Sequence, residues 1–291
     1  AAAGTKVWAG RVSSDWSDSN NWAWLEIPVD GDDIILTDEG IAPSNLDITD
    51  LGIGRIYWGE FSGATVYADP PADGLVVSGN AFSLTDGFDT PDGLGDTHEY
   101  TIENDITLEA DLNANLNDGF TVNLHGNLDE SGGSHNVVQD GAGGTLVLRG
   151  TNTYSGKTWM QNGGTIVAGR DENLGAVPGA FDADNIDADG SGSRFQLERP
   201  ADRSYLKTRI DANRGMSISS QTDIYLGDGM EVFYSGASPR YVAGDSMGLL
   251  VLDGPSTSDS AITIQGGVLR VAHAEALGTT AGATEFSNGK L

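Results

Sequence analysis

One stretch of this chain occurs twice. Gly144-Thr145-Leu146-Val147-Leu148-Arg149-Gly150 leads through Thr151-Asn152-Thr153-Tyr154-Ser155-Gly156 to a Gly163-Gly164 pair and Thr165-Ile166-Val167-Ala168, closing on Asn173-Leu174-Gly175. The same order returns as Gly248-Leu249-Leu250-Val251-Leu252-Asp253-Gly254, then Gly266-Gly267 with Val268-Leu269-Arg270-Val271, closing on Ala276-Leu277-Gly278. The glycine pair and the Leu-Gly step recur at a spacing of 103, the opening glycine at 104. Between these landmarks run short alternating segments bounded by Gly, Asp or Asn, such as Phe120-Thr121-Val122-Asn123-Leu124 and Ala261-Ile262-Thr263-Ile264. That pattern reads as strands joined by tight turns. One such coil cannot bury its apolar face alone, so coils stack, each strand bonding to its equivalents above and below. The expectation is an all-β solenoid in which Gly163-Gly164 and Gly266-Gly267 occupy equivalent corners, as do Leu174 and Leu277.

Composition fits many small cores with turns between them. Hydrophobic residues make up 38% of 291, and glycine occurs 41 times. Helical periodicity is nearly missing. The 43 acidic residues against 15 basic ones leave a net charge of −28, which repels phosphate backbones and anionic bilayers and excludes nucleic acid as a partner. No run approaches the roughly 18 apolar residues that span a bilayer, so no membrane insertion is expected. The chain has no cysteine, which excludes disulfides, thiolate metal sites and cysteine nucleophiles. Ala1-Ala2-Ala3 resembles the small-residue region left around a signal-peptidase cut, as in a processed, exported chain.

The run Gly-Thr-Leu-x-Leu-x-Gly-x-Asn-Thr-Tyr-Ser-Gly-x-Thr from Gly144, followed by Asn162-Gly163-Gly164-Thr165-Ile166 and Asn173-Leu174-Gly175, resembles the autotransporter-associated β-strand repeat of bacterial passenger domains. Residues 144–175 carry the pattern and 248–278 a degenerate copy. Flanking segments such as Ile102–Leu108, Ala180–Ile186 and Asp211–Gly215 are similar to the rungs between such repeats. The resemblance covers about 95–291. It implies a right-handed parallel β-helix and a secreted or cell-surface location, and no catalytic residue or fixed ligand site.

Residues 1–60 read differently. Trp8, Trp16, Trp22, Trp24 and Trp58 are five of the six tryptophans, and Asn20-Asn21-Trp22 with Pro28 and Gly31-Asp32-Asp33 resembles the opening of large surface proteins that carry these repeats. This segment is expected to be an N-terminal cap, its indoles covering the first coil of a solenoid over 61–291; a sugar-stacking platform is the alternative. Asp69-Pro70-Pro71 and Thr90-Pro91-Asp92-Gly93 read as loops protruding between rungs.

Few constellations carry chemistry. Asp182-Ala183-Asp184-Asn185-Ile186-Asp187-Ala188-Asp189-Gly190 places carboxylates ahead of a glycine, as calcium loops do, but without the bidentate Glu of such loops. Any calcium bound would be structural, with Asp187 and Asp189 as ligands; otherwise Ile186 points inward and the aspartates are solvated. No other cofactor is expected. His98, His125, His135 and His273 show no metal spacing, the four lysines Lys6, Lys157, Lys207 and Lys290 are scattered, and no nucleophile elbow or phosphate loop occurs. The basic group Arg194, Arg199, Arg203, Lys207, Arg209 and Arg214 is expected to pair with acids on adjacent rungs. The chain therefore reads as a non-enzymatic structural or adhesive surface protein; a carbohydrate-active enzyme or binding module on the same fold is the alternative, with surface polysaccharide as partner. The second repeat stops at Phe286–Leu291, partway through a rung, with no tryptophan-rich cover. Head-to-tail stacking of the chain on itself, into filaments, is expected there.

Overall fold

The computed structural model describes residues 4–37, 39–59, 71, 74–91, 97–198, 207–218, 223–227, 229–236, 241–244, 248–256, 262–264, 266–279 and 283–286. Ala1-Ala2-Ala3, Arg199, Arg203, Lys290, the final Leu291 edge, and Asp69, Pro70, Asp92 and Gly93 of the two proline-containing loops lie outside the described residues. The chain forms two compact units, Ala1–Tyr154 and Ser155–Leu291. Among the described residues there is no α-helix, only two single 3₁₀ turns, Ser19–Asn21 and Asp171–Leu174. Among the described residues, every strand pair with a described register is parallel, as a parallel β-helix requires.

The first unit contains β1 (Thr5–Val7), β2 (Asp32–Leu36), β3 (Asn45–Leu46), β4 (Leu51–Trp58), β5 (Val76–Gly79), β6 (Phe82–Asp89), β7 (His98–Ile102), β8 (Ile106–Leu108), β9 (Leu112–Asn115), β10 (Phe120–Leu124), β11 (Leu128–Glu130), β12 (Val137–Gln139) and β13 (Thr145–Leu148). One sheet runs β1-β2-β4-β6-β9-β12, with β8 and β11 branching from β6; the other runs β3-β5-β7-β10-β13. Alternation places the same kind of residue in each column. Tyr100 faces Val122 and Val122 faces Leu146, while Ile102, Leu124 and Leu148 form the next column, and all six are buried. Each such aliphatic side chain stabilises the fold by about 1.5–3 kcal/mol.

Three indoles pack at the start of this unit. Trp8 and Trp16 meet Trp22 edge-on at 5.1 and 5.6 Å, and their N–H groups donate to the carbonyls of Ile41 (Trp8), Pro43 (Trp16) and Trp16 (Trp22). Buried Asn21 accepts from the N–H groups of Val12 and Ser13 and donates to Ser13 Oγ and the Asp15 carbonyl, so burial leaves its amide satisfied. Two tryptophans depart from the expected cap. Trp58 lies inside β4, stacked on Tyr100 at 5.3 Å, and Trp24 is 58% exposed. The parallel ladder already includes Thr5–Val7, paired with Asp33–Ile35, so it starts within the segment 1–60.

One corner of the first sheet grows rung by rung. Ile34 follows Asp32 by two residues, but their partners Ile53 and Ile56 are three apart. Between Ile53 and Arg55 the next partners, Leu84 and Gly87, are again one residue further apart. In the rung after that the strand has split, β8 pairing with Phe82–Leu84 and β9 with Gly87–Asp89. Successive bulges, each re-aiming the side chains beside it, thus widen into a loop.

The second unit contains β14 (Thr158–Met160), β15 (Thr165–Ala168), β16 (Asp182–Ala188), β17 (Arg194–Leu197), β18 (Lys207–Ile210), β19 (Arg214–Ile218), β20 (Asp223–Leu226), β21 (Glu231–Tyr234), β22 (Tyr241–Gly244), β23 (Leu249–Leu252), β24 (Ile262–Ile264), β25 (Val268–Val271) and β26 (Thr284–Phe286). Its sheets run β14-β16-β19, β15-β17-β20-β22-β24-β26 and β18-β21-β23-β25. The coil shortens along the unit: Arg194 faces Asp223, 29 residues on, whereas Leu249 faces Val268, 19 residues on. This corrects the expected equivalence of the two glycine pairs. Gly163-Gly164 leads into β15 and Gly266-Gly267 into β25, which belong to different sheets, and the positive φ falls on Gly163 in one pair and Gly267 in the other. A fixed sequence spacing does not return to the same face when rung length changes. The Leu-Gly steps keep their local form, since Gly175 and Gly278 both take positive φ after a turn.

A fully buried arginine ties this unit together. Arg214 on β19 bonds through Nε to Asp171 Oδ1 at 2.9 Å. Its remaining donors reach Asn185 Oδ1 at 2.9 Å and the carbonyls of Leu174 (2.9 Å) and Gly175 (2.6 Å). The Asn-Leu-Gly end of the first repeat is thereby closed by a cation 40 residues on. Removing one partner of a buried pair costs about 3–5 kcal/mol. Arg214→Ala should destabilise the second unit by that amount in urea unfolding and release the amides of 171–176 in hydrogen exchange; a loss below about 1 kcal/mol would contradict this role.

Candidate functional site

The growing corner places a polar cluster on the outer face of β2, β4, β6 and β9. Arg55 Nη2 lies 2.6 Å from Asp86 and Nη1 3.0 Å from Asp89. Asn115 donates to Asp89 at 3.1 Å and Asn113 to Asp86 at 3.4 Å, and the Arg55 guanidinium stands 5.9 Å from the Tyr57 ring. Asp33 completes the group, its carboxylate accepting the backbone N–H of Arg55. Gly54 leaves room for this contact: a Cβ there would lie 2.4 Å from Asp33 Oδ1 and would push that carboxylate aside. At Gly87 a Cβ would lie 2.0 Å from the Asn113 carbonyl oxygen, where only backbone could yield.

Burial pushes the carboxyls of Asp33 and Asp89 up from the ordinary value of 3.8, against the opposing pull of Arg55. Burial likewise raises the Tyr57 phenol. The result is one guanidinium, three carboxylates, two amides and an aromatic ring across neighbouring rungs, able to hydrogen-bond a polyhydroxylated or cationic group. Apart from Arg55 and Tyr57, which share β4, these residues are 22 to 34 apart in sequence where they touch. The local glycine-rich texture of Leu51-Gly52-Ile53-Gly54-Arg55 was visible; the bulges that bring the aspartates to Arg55 were not.

The residues singled out from sequence fare variously. Asp182, Asp184 and Asp187 lie on β16, beside Lys157, which is ion-paired with Asp184 and 4.0 Å from Asp187. Asp189 accepts the Gly190 N–H at 2.8 Å. Ile186 is fully buried. Among the described residues no three acidic or histidine side chains form a group able to hold a metal. Of the basic group, Lys207 pairs with Glu231 and Arg209 with Asp253, each at 2.6 Å, and Arg214 with Asp171; Arg194 lies over the Tyr225 ring at 5.4 Å. The histidines stay apart in role: His98 stacks on Phe120 at 5.0 Å, while His135 and His273 bond within their own turns.

Comparison with known proteins returns no matching family model, no matching curated protein and no matching solved structure.

A carboxyl whose folded pKa is raised contributes stability that is fully present below its unfolded value and is lost as pH rises through the folded one. Asp33→Asn and Asp89→Asn should therefore gain stability relative to wild type as pH is raised above 3.8, read from urea midpoints at pH 3.5 and pH 6; an equal offset at both pH values would contradict the burial of these groups. Separately, Gly87→Ala should cost about 1–3 kcal/mol by overpacking, more than Gly54→Ala, where a carboxylate can swing aside.

Proposed function

We propose that this chain is a structural, adhesive element of a secreted or cell-surface assembly, a length of β-helix whose work is done by shape and surface. The observation that carries this reading is how the polar side chains of the outer faces are engaged. Arg55 with Asp86 and Asp89, Asp111 with Asn136, Asp129 with Thr153, Lys207 with Glu231 and Arg209 with Asp253 each join one rung to another. Such stitching stiffens each unit. The resemblance of 144–175 to a passenger-domain repeat supports export, and the net charge of −28 supports a solvated exterior.

A carbohydrate-binding or carbohydrate-active role is the second reading, favoured by the Arg55–Tyr57 cluster, where two carboxyls of raised pKa flank an aromatic ring. Two measurements separate them. Intact producing cells should be labelled by an antibody to the chain, and purified protein with Ca²⁺ present should release no reducing ends from acidic or neutral polysaccharides. Turnover that Asp33→Asn or Asp89→Asn abolishes would replace the structural reading with the enzymatic one.

A further inference from the structure

The first unit carries an apolar projection. Trp24 and Leu25 are 58% and 56% exposed, with Ile27 beside them at 39%. Leu25 holds φ at +60°, a left-handed conformation that a bulky side chain adopts only at the cost of backbone strain. The segment is nevertheless fixed on both sides. The Ala23 N–H donates to the Val7 carbonyl at 2.9 Å and the Leu25 N–H to the Trp22 carbonyl at 3.1 Å. Lys6 holds Glu26 at 2.7 Å, and the Val29 N–H donates to Asp32 at 2.9 Å. Strained backbone anchored at four points, turning an indole and a leucine into water, marks a contact surface.

The second unit offers a recess of matching character. Leu249, Val268, Leu269, Val271 and Leu277, with Arg270 at the rim, line a concave surface of about 670 Å³, within the roughly 300–1,000 Å³ of pockets that take a compact apolar group. Arg270 is exposed, its guanidinium 5.9 Å from the Phe233 ring, and no carboxylate lies within salt-bridge distance of it among the described residues. Glu26, in the middle of the projection, is 68% exposed while its Oε2 holds Lys6, which is 14% exposed. Projection and recess are thus alike in apolar character, and the exposed charges beside them, Glu26 and Arg270, are opposite in sign.

We propose that the Trp24-Leu25-Ile27 projection of one copy seats in the Leu249–Val268–Leu277 recess of a second copy, with Glu26 facing Arg270. The two surfaces differ, so the contact is heterologous, and repetition produces open chains unless the rotation closes a ring. This goes beyond the structural role proposed above and names the residues through which copies would join. Interfacial tryptophans are enriched among the side chains whose truncation costs most affinity.

The test is the mass of the purified 291-residue chain by sedimentation and light scattering over a hundredfold concentration range. Wild type should grow in mass with concentration. Trp24→Ala and Val268→Asp, both at exposed positions and both checked for unchanged circular dichroism, should each shift association to at least tenfold higher concentration. Trp24→Ala keeps the recess and Val268→Asp keeps the projection, so an equimolar mixture should stop at dimers. A wild type that stays monomeric, variants that associate like wild type, or a mixture that forms no dimers would overturn the proposal. A monomeric wild type whose tryptophan fluorescence shifts on adding oligosaccharide or neutral vesicles would assign the projection to that partner instead.

Discussion

Parallel, in-register pairing governs nearly every other feature of this molecule. Strands about 4.8 Å apart put each side chain directly beside its equivalent one coil away, so a residue's neighbours are set by rung length and not by sequence proximity. Inside, the rule makes columns such as Tyr100–Val122–Leu146 that must agree in volume, because interiors tolerate neither voids nor excess. Outside, the same rule gives the column Glu99–Thr121–Thr145. Like charges placed in one column would repel at close range.

A chain with 43 acids and 15 bases meets that difficulty with selective placement of its cations. Arg55 divides its guanidinium between two carboxylates on the next rung. Lys207 neutralises Glu231, its register partner, and Arg209 reaches past the adjacent strand to Asp253 while lying over Phe233. Exposed pairs of this kind contribute well under 1 kcal/mol each and weaken with salt. Arg214 differs in kind: fully buried, with Asp171 and several carbonyls around one guanidinium, it fixes where the chain turns. Its planar fork of donors is what makes that geometry available, and lysine could not reproduce it.

Much of the fold was legible because strand and turn signals are local. Phe120–Leu124, Thr145–Leu148 and Val268–Val271 each follow directly on a glycine, carry apolar residues at alternate positions, and all form strands. The tryptophan box was legible in part: Trp8, Trp16 and Trp22 cluster, while nothing in composition distinguishes Trp24, which faces water, from Trp58, which stacks in the interior. The 103-residue spacing misled about faces because rung length shortens from 29 to 19 residues, a change set by loop lengths that periodicity does not encode. The Arg55 cluster was hidden for a related reason. A bulge shifts register by one residue, and its position depends on backbone approach at Gly54 and Gly87, not on any pattern of side-chain polarity.

The central claim is the register itself, and the lack of cysteine makes it directly measurable. Paired cysteines introduced at Thr121 and Thr145, or at Lys207 and Glu231, sit opposite each other on adjacent rungs, at a separation of about 4.8 Å that suits a disulfide. Oxidation should close both pairs nearly completely. The displaced pair Thr121 with Val147, two residues out of register, should remain reduced. Equal cross-linking of the displaced pair, or none in the aligned pairs, would contradict the parallel ladder on which the account rests.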